Sequence, residues 1–340
     1  MSKDVSFRVR RRVAAIVAVG VAVAVPAVGQ SSAAEPQASI SSTAPRTADG
    51  QPDLRGVWFF GTLTPLQRPD DLAGRTHLTD EEIAAIEDRA ANRPQYFGLF
   101  GDVSRYVFDK RTSLIVDPPD GKVPARTPAG EARQAERDAA RRAAENPEDL
   151  PPYERCILGF NAGPPIIPGG YNQNIQLFQT RDHLAIHTEM VHTTRIVPLD
   201  GRPHLPSHVR QWNGSSRGRW EGDTFVVTTT NFRSEGTGTL MLDGNRARPG
   251  VGWSPDENLT LVERFKRVDR DTLIYEWTIT DPTVWTKPWT VSIPMTRSDQ
   301  RLYEYACHEG NHDMGNILAV ERNLEAGDAA SKTGAERNPR

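Results

Sequence analysis

Thr272 to Met295 reads TLIYEWTITDPTVWTKPWTVSIPM, and its large apolar residues recur at every second position. Leu273, Tyr275, Trp277 and Ile279 alternate with Ile274, Glu276 and Thr278, and then Trp289, Val291, Ile293 and Met295 alternate with Thr290, Ser292 and Pro294. A side-chain period of two is the signature of a strand with one face buried. Just upstream, Leu259, Leu261, Glu263 and Phe265 share one face, so a carboxylate points into an apolar layer. The triplets Glu221-Gly222-Asp223 and Asp269-Arg270-Asp271 supply turn residues that join such runs as hairpins.

The same period extends from Asn174 to Cys307, enough for about eight to ten short antiparallel strands. The expected fold is therefore mainly β: an antiparallel barrel or strongly curved sheet, lipocalin-like, with a sandwich as the alternative. Residues 171–323 would form this β domain, and 51–170 a loop-rich region bearing two helices. Thr79 and Glu82 make a capping box for a helix from Asp80 to Ala91. Thr127, with Pro128 behind it, starts a second helix running to Glu145. That helix has almost no large apolar residue and reads as a solvated arm. Thr112 to Val116, followed by Pro118-Pro119-Asp120-Gly121, looks like one side of a hairpin, and Leu302 to Ala306 reads as a strand. The Gly-rich stretch Arg233 to Pro255 suits a rim loop, and 324–340 a disordered tail.

Residues 1–34 differ from the rest. Arg8, Arg10, Arg11 and Arg12 precede an Ala/Val run from Val13 to Val28 and then small residues, the order of a cleaved signal peptide. The run is short of the roughly 20 apolar residues that span a bilayer, so contact with the membrane is expected only through an uncleaved signal. Residues 35–50 read as a flexible leader. The expected location is periplasmic or secreted. Two cysteines, Cys156 and Cys307, would then meet an oxidising compartment, which favours a disulfide. The net charge of -3 and the scattered basic residues argue against nucleic acid as a partner. No Gly-rich phosphate loop points to a nucleotide.

GRWEGDTFVVTTTNF (Gly218 to Phe232), ERFKRVDRDTLIYEWTITDPTVWTKPW (Glu263 to Trp289) and YEYACHEGN (Tyr303 to Asn311) together resemble a large family of exported bacterial proteins. The resemblance covers most of Gln51 to Arg322 and brings no activity with it.

Candidate chemistry rests on the histidines. Five of eight, His183, His187, His192, His204 and His208, lie close together in sequence, and His308 and His312 sit in CHEGNH. Imidazole titrates near neutrality, so His192 and His308 are the proton-transfer candidates, with Glu189 or Glu263 as partner carboxylate and Arg195 as the anion-stabilising group. Burial would poise Glu263 as an acid or base unless Arg195 or Arg264 holds it ionised in a structural pair. Were HLAIHTEMVH a continuous strand, His183, His187 and Glu189 would share a face. No metal or other cofactor is expected, because no recognised metal spacing is present. The alternative metal set is His187, Glu189, His192 and His308. Trp253, Trp285 and Tyr275 are candidate substrate contacts. The leading expectation is an exported enzyme doing acid-base chemistry on a small apolar or aromatic molecule, as a lyase, isomerase, hydratase or hydrolase. A periplasmic small-molecule binding protein without turnover and a structural envelope-associated protein are the alternatives.

Overall fold

The computed structural model describes residues 44–92, 109–142, 146–169, 171–234, 240–241, 252–253, 257–312, 314–320 and 322–323. The segments read from sequence as a signal peptide and a tail, and most of those read as a leader and a rim loop, lie outside the described residues.

The alternation in Thr272–Met295 becomes two paired strands. Thr272–Thr280 (β11) and Trp289–Ser298 (β12) are antiparallel, with Tyr275 opposite Ile293 and Trp277 opposite Val291. Leu273, Tyr275, Trp277, Ile279, Trp289, Val291, Ile293 and Met295 are all fully buried, so the period-two face is the core face. Thr260–Arg267 (β10) pairs with β11 through the Asp269–Asp271 turn, and Ser215–Glu221 (β6) pairs with Thr224–Thr230 (β7) around Gly222. With Gly56–Phe59 (β1), Ile115–Asp117 (β2), Asn174–Gln179 (β3), His183–Thr188 (β4) and Thr194–Pro198 (β5), these make one ten-stranded sheet. Its order is β5-β4-β3-β1-β12-β11-β10-β7-β6, with β2 attached to β12, and the pairings are antiparallel. Leu240–Met241 (β8) and Gly252–Trp253 (β9) pair separately.

The sheet is strongly curved but does not close into a barrel. Its two ends, β5 and β6, lie side by side without forming a ladder. A Cβ added at Gly218 of β6 would come within 2.9 Å of Val197 Cγ1 on β5, and Arg195 of β5 reaches Ser216 of β6. The seam between these strands is where the backbone pairing stops.

The N-terminal half adds to this sheet as well as covering it. β1 is inserted between β3 and β12, and the Trp58 indole N–H donates to Leu54 O (2.9 Å) inside the core. Helix α1, Asp80–Ala91, starts at the expected capping box: Thr79 Oγ1 accepts from Glu82 N, and Glu82 accepts from Thr79 N. Arg75 binds the same carboxylate. Helix α2, Pro128–Arg142, is capped by Thr127, whose Oγ1 accepts from Gly130 N. It is more than a solvated arm: Gly130 and Gln134 are buried, and a Cβ on Gly130 would meet Val284 O at 2.6 Å. Only glycine permits that approach.

Two further expectations need correction. Ile115–Asp117 is not half of a local hairpin but pairs with distant β12, where Arg111 donates to Ser292 O. Residues 302–306 have no strand partner; the Tyr305–Gly310 segment folds back through turns. A helix at 314–320 went unanticipated. Its Leu318, with Met314 and Ile317 beside it, packs on Leu150 in a small cluster apart from the main core. Cys156 and Cys307 form a disulfide with Cα atoms 5.6 Å apart. No helix of the described residues is long and apolar enough to cross a membrane.

Candidate functional site

Glu263 is entirely buried, as its apolar neighbours on β10 require, and a buried carboxylate must be compensated. Arg195 supplies the charge. Its Nη1 donates to Glu263 Oε2 and its Nη2 to Oε1 (2.7 Å), a bidentate pair. Tyr275 Oη donates to Glu263 Oε1 (2.7 Å) and accepts from Ile166 N (3.0 Å). Ser216 and Thr229 hydroxyls, themselves 2.9 Å apart, lie 3.4 Å from Arg195 Nη1. Burial opposes the Arg195 cation, but the charge and hydrogen bonds of Glu263 outweigh it and hold the guanidinium pKa above its ordinary value. Burial, reinforced by Glu263, pushes the Tyr275 phenol well above its usual range. Arg195, Glu263 and Tyr275 are thus brought together, as an ion pair with its phenol rather than a free acid or base.

Arg195 also reaches the surface. A cleft of about 380 Å³ follows the unpaired seam between β5 and β6, and Arg195, Ser216, Arg217, Arg202, Asn213 and His183 are among its walls. Among the described residues no Asp or Glu lines it. Arg202 is bound by Asp200 (2.6 Å). Arg217 donates to the carbonyls of Arg202, Pro203 and Ser216 and has no carboxylate within ion-pair distance among the described residues. Asn213 Oδ1 is shielded from solvent with no donor among the described residues. Beside the cleft, His204 Nδ1 donates to Ser215 O (2.8 Å), which leaves Nε2 as the acceptor. Burial holds the His204 pKa below its ordinary value.

The histidines of β4 separate from Glu189. The strand ends at Thr188, so His183 and His187 stay on the outer side while Glu189 turns inward and is buried. Its Oε2 accepts from Asn174 Nδ2 (2.8 Å). His187 Nδ1 meets Thr194 Oγ1 (2.8 Å), and burial, then the charge of His192, lowers its pKa. His192 follows an elbow in which Val191 (φ 57°) and His192 (φ 38°) both have positive φ, a conformation costly for a β-branched residue. The ring of His192 donates through Nδ1 to Tyr305 O (3.1 Å), so the elbow and the CHEGNH segment do meet. Tyr305 stacks on Tyr171, and both pack with Cys307 against Met190 and Val191. His308 is exposed in the following turn; its carbonyl accepts from Asn311 N (3.4 Å), and its ring makes no hydrogen bond among the described residues. Neither histidine contacts Glu263. The alternative metal set does not assemble, for no group of three His, Cys, Asp or Glu suited to a metal occurs among the described residues.

Of the expected substrate contacts, Tyr275 is wholly in the core and Trp285 is buried against Trp289 (5.9 Å between rings) with the Arg126 guanidinium over it. The Trp253 side chain lies outside the described residues.

No protein-family model matches the chain, and no curated protein matches it.

Sequence reading missed Arg202, Asn213, Ser216 and Arg217 as a group. Nothing in the sequence marks them as a group until β5 and β6 are known to be the sheet's ends.

Proposed function

We propose that this is an exported small-molecule binding protein whose ligand seats in the seam cleft and presents an anionic group to Arg217, beside Arg195 and Arg202. The carrying observation is the wall composition: three arginines and a histidine, with no carboxylate among the described residues, at the place where the sheet leaves its edges unpaired. Clustered charge of one sign in a concave, low-dielectric wall attracts the opposite charge. Arg195 is already neutralised by Glu263 and Arg202 by Asp200, so Arg217 is the cation with charge to offer. The unmatched Asn213 Oδ1 suits a hydroxyl or amine donor on the same ligand. The arginine-rich start, the apolar run after it and the disulfide support export. The lipocalin-like analogy is kept only at the level of a curved sheet, because aromatic side chains such as Trp58 and Trp277 fill the interior.

Calorimetric titration with phosphate, malonate and benzoate, together with mass spectrometry of small molecules released from natively purified protein, tests the reading. A bound anion whose affinity falls roughly tenfold or more in Arg217→Ala is the expected result, the scale of one charge-assisted hydrogen bond. An affinity indifferent to both Arg217→Ala and Arg202→Ala would dispose of it.

A second reading, acid-base catalysis at His192, draws on one observation. Two successive positive-φ residues at the elbow are a strain of the kind that gathers at reactive sites. It predicts turnover lost in His192→Ala with thermal unfolding almost unchanged.

A further inference from the structure

We propose that Glu189, Asn174 and Asn161 form a buried binding site for a hard divalent cation of the calcium type. All three residues are more than nine-tenths buried, at 5%, 7% and 1% exposure. Glu189 has no Lys, Arg or His within ion-pair distance among the described residues; the single donor that reaches its carboxylate is Asn174 Nδ2 (2.8 Å). In this it contrasts with Glu263, the other buried glutamate among the described residues, which has both a guanidinium and a phenol. Buried carboxylates are paired or bind metal, because the cost of removing one from water is otherwise too large.

The neighbouring amides add acceptors and no cation. Asn174 Nδ2 is committed to Glu189, which orients that amide and leaves Oδ1 as an acceptor without a donor. Asn161 Nδ2 donates to the carbonyls of Tyr171 (2.9 Å) and Asn172 (3.4 Å), which likewise fixes its orientation, and its Oδ1 is also buried without a donor. Buried acceptors normally find a donor, so an orphan oxygen on the amide that holds Glu189, with a second orphan on the segment packed against the same turn, points to a positive species there.

The chain brings these residues to one place. Glu189 N donates to Asn174 O (3.0 Å), joining the start of β3 to the turn after β4. The segment carrying Asn161 lies on the same turn: a Cβ at Gly159 would collide with Met190, and Ala162 packs with Met190 and Val191. Asn161 also holds the carbonyls two and three residues before Asn174. The donor set is oxygen alone, with neither thiolate nor imidazole, which suits a hard ion over zinc or copper. Calcium accepts irregular coordination by carboxylate, amide and backbone oxygens, whereas magnesium demands near-octahedral geometry and keeps several waters, for which a site this enclosed is ill suited. One formal charge places the affinity at the weak end of the calcium range, a Kd of about 0.1–1 mM.

The test is thermal unfolding and calorimetry of the purified protein in CaCl2, with MgCl2 and NaCl at matched ionic strength. The expected result is a saturable rise in Tm with calcium at sub-millimolar to millimolar concentration, one ion per chain, absent in Glu189→Gln. Asn174→Asp, which adds a second carboxylate, should tighten calcium binding tenfold or more. A Tm that follows ionic strength alone, an equal response to magnesium, or a Glu189→Gln protein that keeps the saturable rise would overturn the proposal. Should Glu189→Gln fail to fold, the calorimetric comparison of Asn174→Asp with the parent decides, and unchanged or weaker calcium binding refutes it.

Discussion

Arg195 and Glu263 join in a bidentate ion pair although their strands are not neighbours: β5 ends the sheet on one side, and β10 lies two strands in from the other end. Only a sheet curled on itself can bring them together, so the pair ties the two ends of the strand order across the interior. Removing one partner leaves the other charge buried and alone, which typically costs about 3–5 kcal/mol. Arg195→Leu and Glu263→Leu should each lose stability in equilibrium urea unfolding, the second because it leaves Arg195 buried without its partner. The double change Arg195→Leu with Glu263→Leu should lose much less than the sum, because no lone charge remains. Strict additivity would show that the two side chains are not energetically coupled.

Glu263 also shows how far the sequence could be read. Its place among Leu259, Leu261 and Phe265 on a period-two face declared it buried, and Arg195 was one of two candidate cations. The choice between them needed the curl of the sheet. The capping box at Thr79 and Glu82 and the inward face from Leu273 to Met295 were legible because they depend on neighbours a few residues away. β2 was misjudged because its partner, β12, is far off in sequence, and the short 314–320 helix was hidden by the small apolar set it buries on Leu150. The shared face of His183, His187 and Glu189 depended on a continuous strand, and that condition fails because the strand ends at Thr188, ahead of an elbow with two positive φ values.

Gly218 sits tightly packed at the seam. A Cβ there would stand 2.6 Å from Phe225 Cζ and 2.9 Å from Val197 Cγ1, on opposite sides. Gly218→Ala should therefore cost about 1–3 kcal/mol through overpacking and push the seam apart. Gly315 meets nothing within 4 Å in the 314–320 helix, so Gly315→Ala should be neutral or stabilising by up to about 1 kcal/mol. Equal effects of the two substitutions would mean that β5 and β6 have room to spare.

The Cys156–Cys307 disulfide closes a loop with a sequence separation of 151 residues. In the chain-entropy view, a loop of that length is worth about 5 kcal/mol through the unfolded state. Cys156→Ser with Cys307→Ser, or reduction under native conditions, should lower Tm substantially and loosen the contact of His192 with Tyr305, since Tyr305 packs with Cys307 in the cluster beside His192 that the bridge pins. An unchanged Tm after verified reduction would show that packing alone holds the segment.

His187 and His204 both have folded-state pKa values below the ordinary 6.5, and in each the leading cause is burial. The unfolded chain therefore binds protons at these residues before the folded chain does. Their contribution to stability is fully present above about pH 6.5 and declines as the pH falls below it. The lowered carboxylates, such as Glu82 held at about 2 by Arg75 and then by Thr79 N, have ordinary values no higher than 4.5. They begin to act only at more acidic pH, so the interval from about 6.5 to 5.5 isolates the histidines. Urea midpoints should fall across that interval, and the fall should shrink in His187→Gln and again in the double change with His204→Gln. If the ligand of the seam cleft favours a neutral His204, its affinity should drop over the same interval in the parent and not in His204→Gln. A midpoint that stays level from pH 7.5 to 5.5 would mean that neither ring is held neutral by the fold.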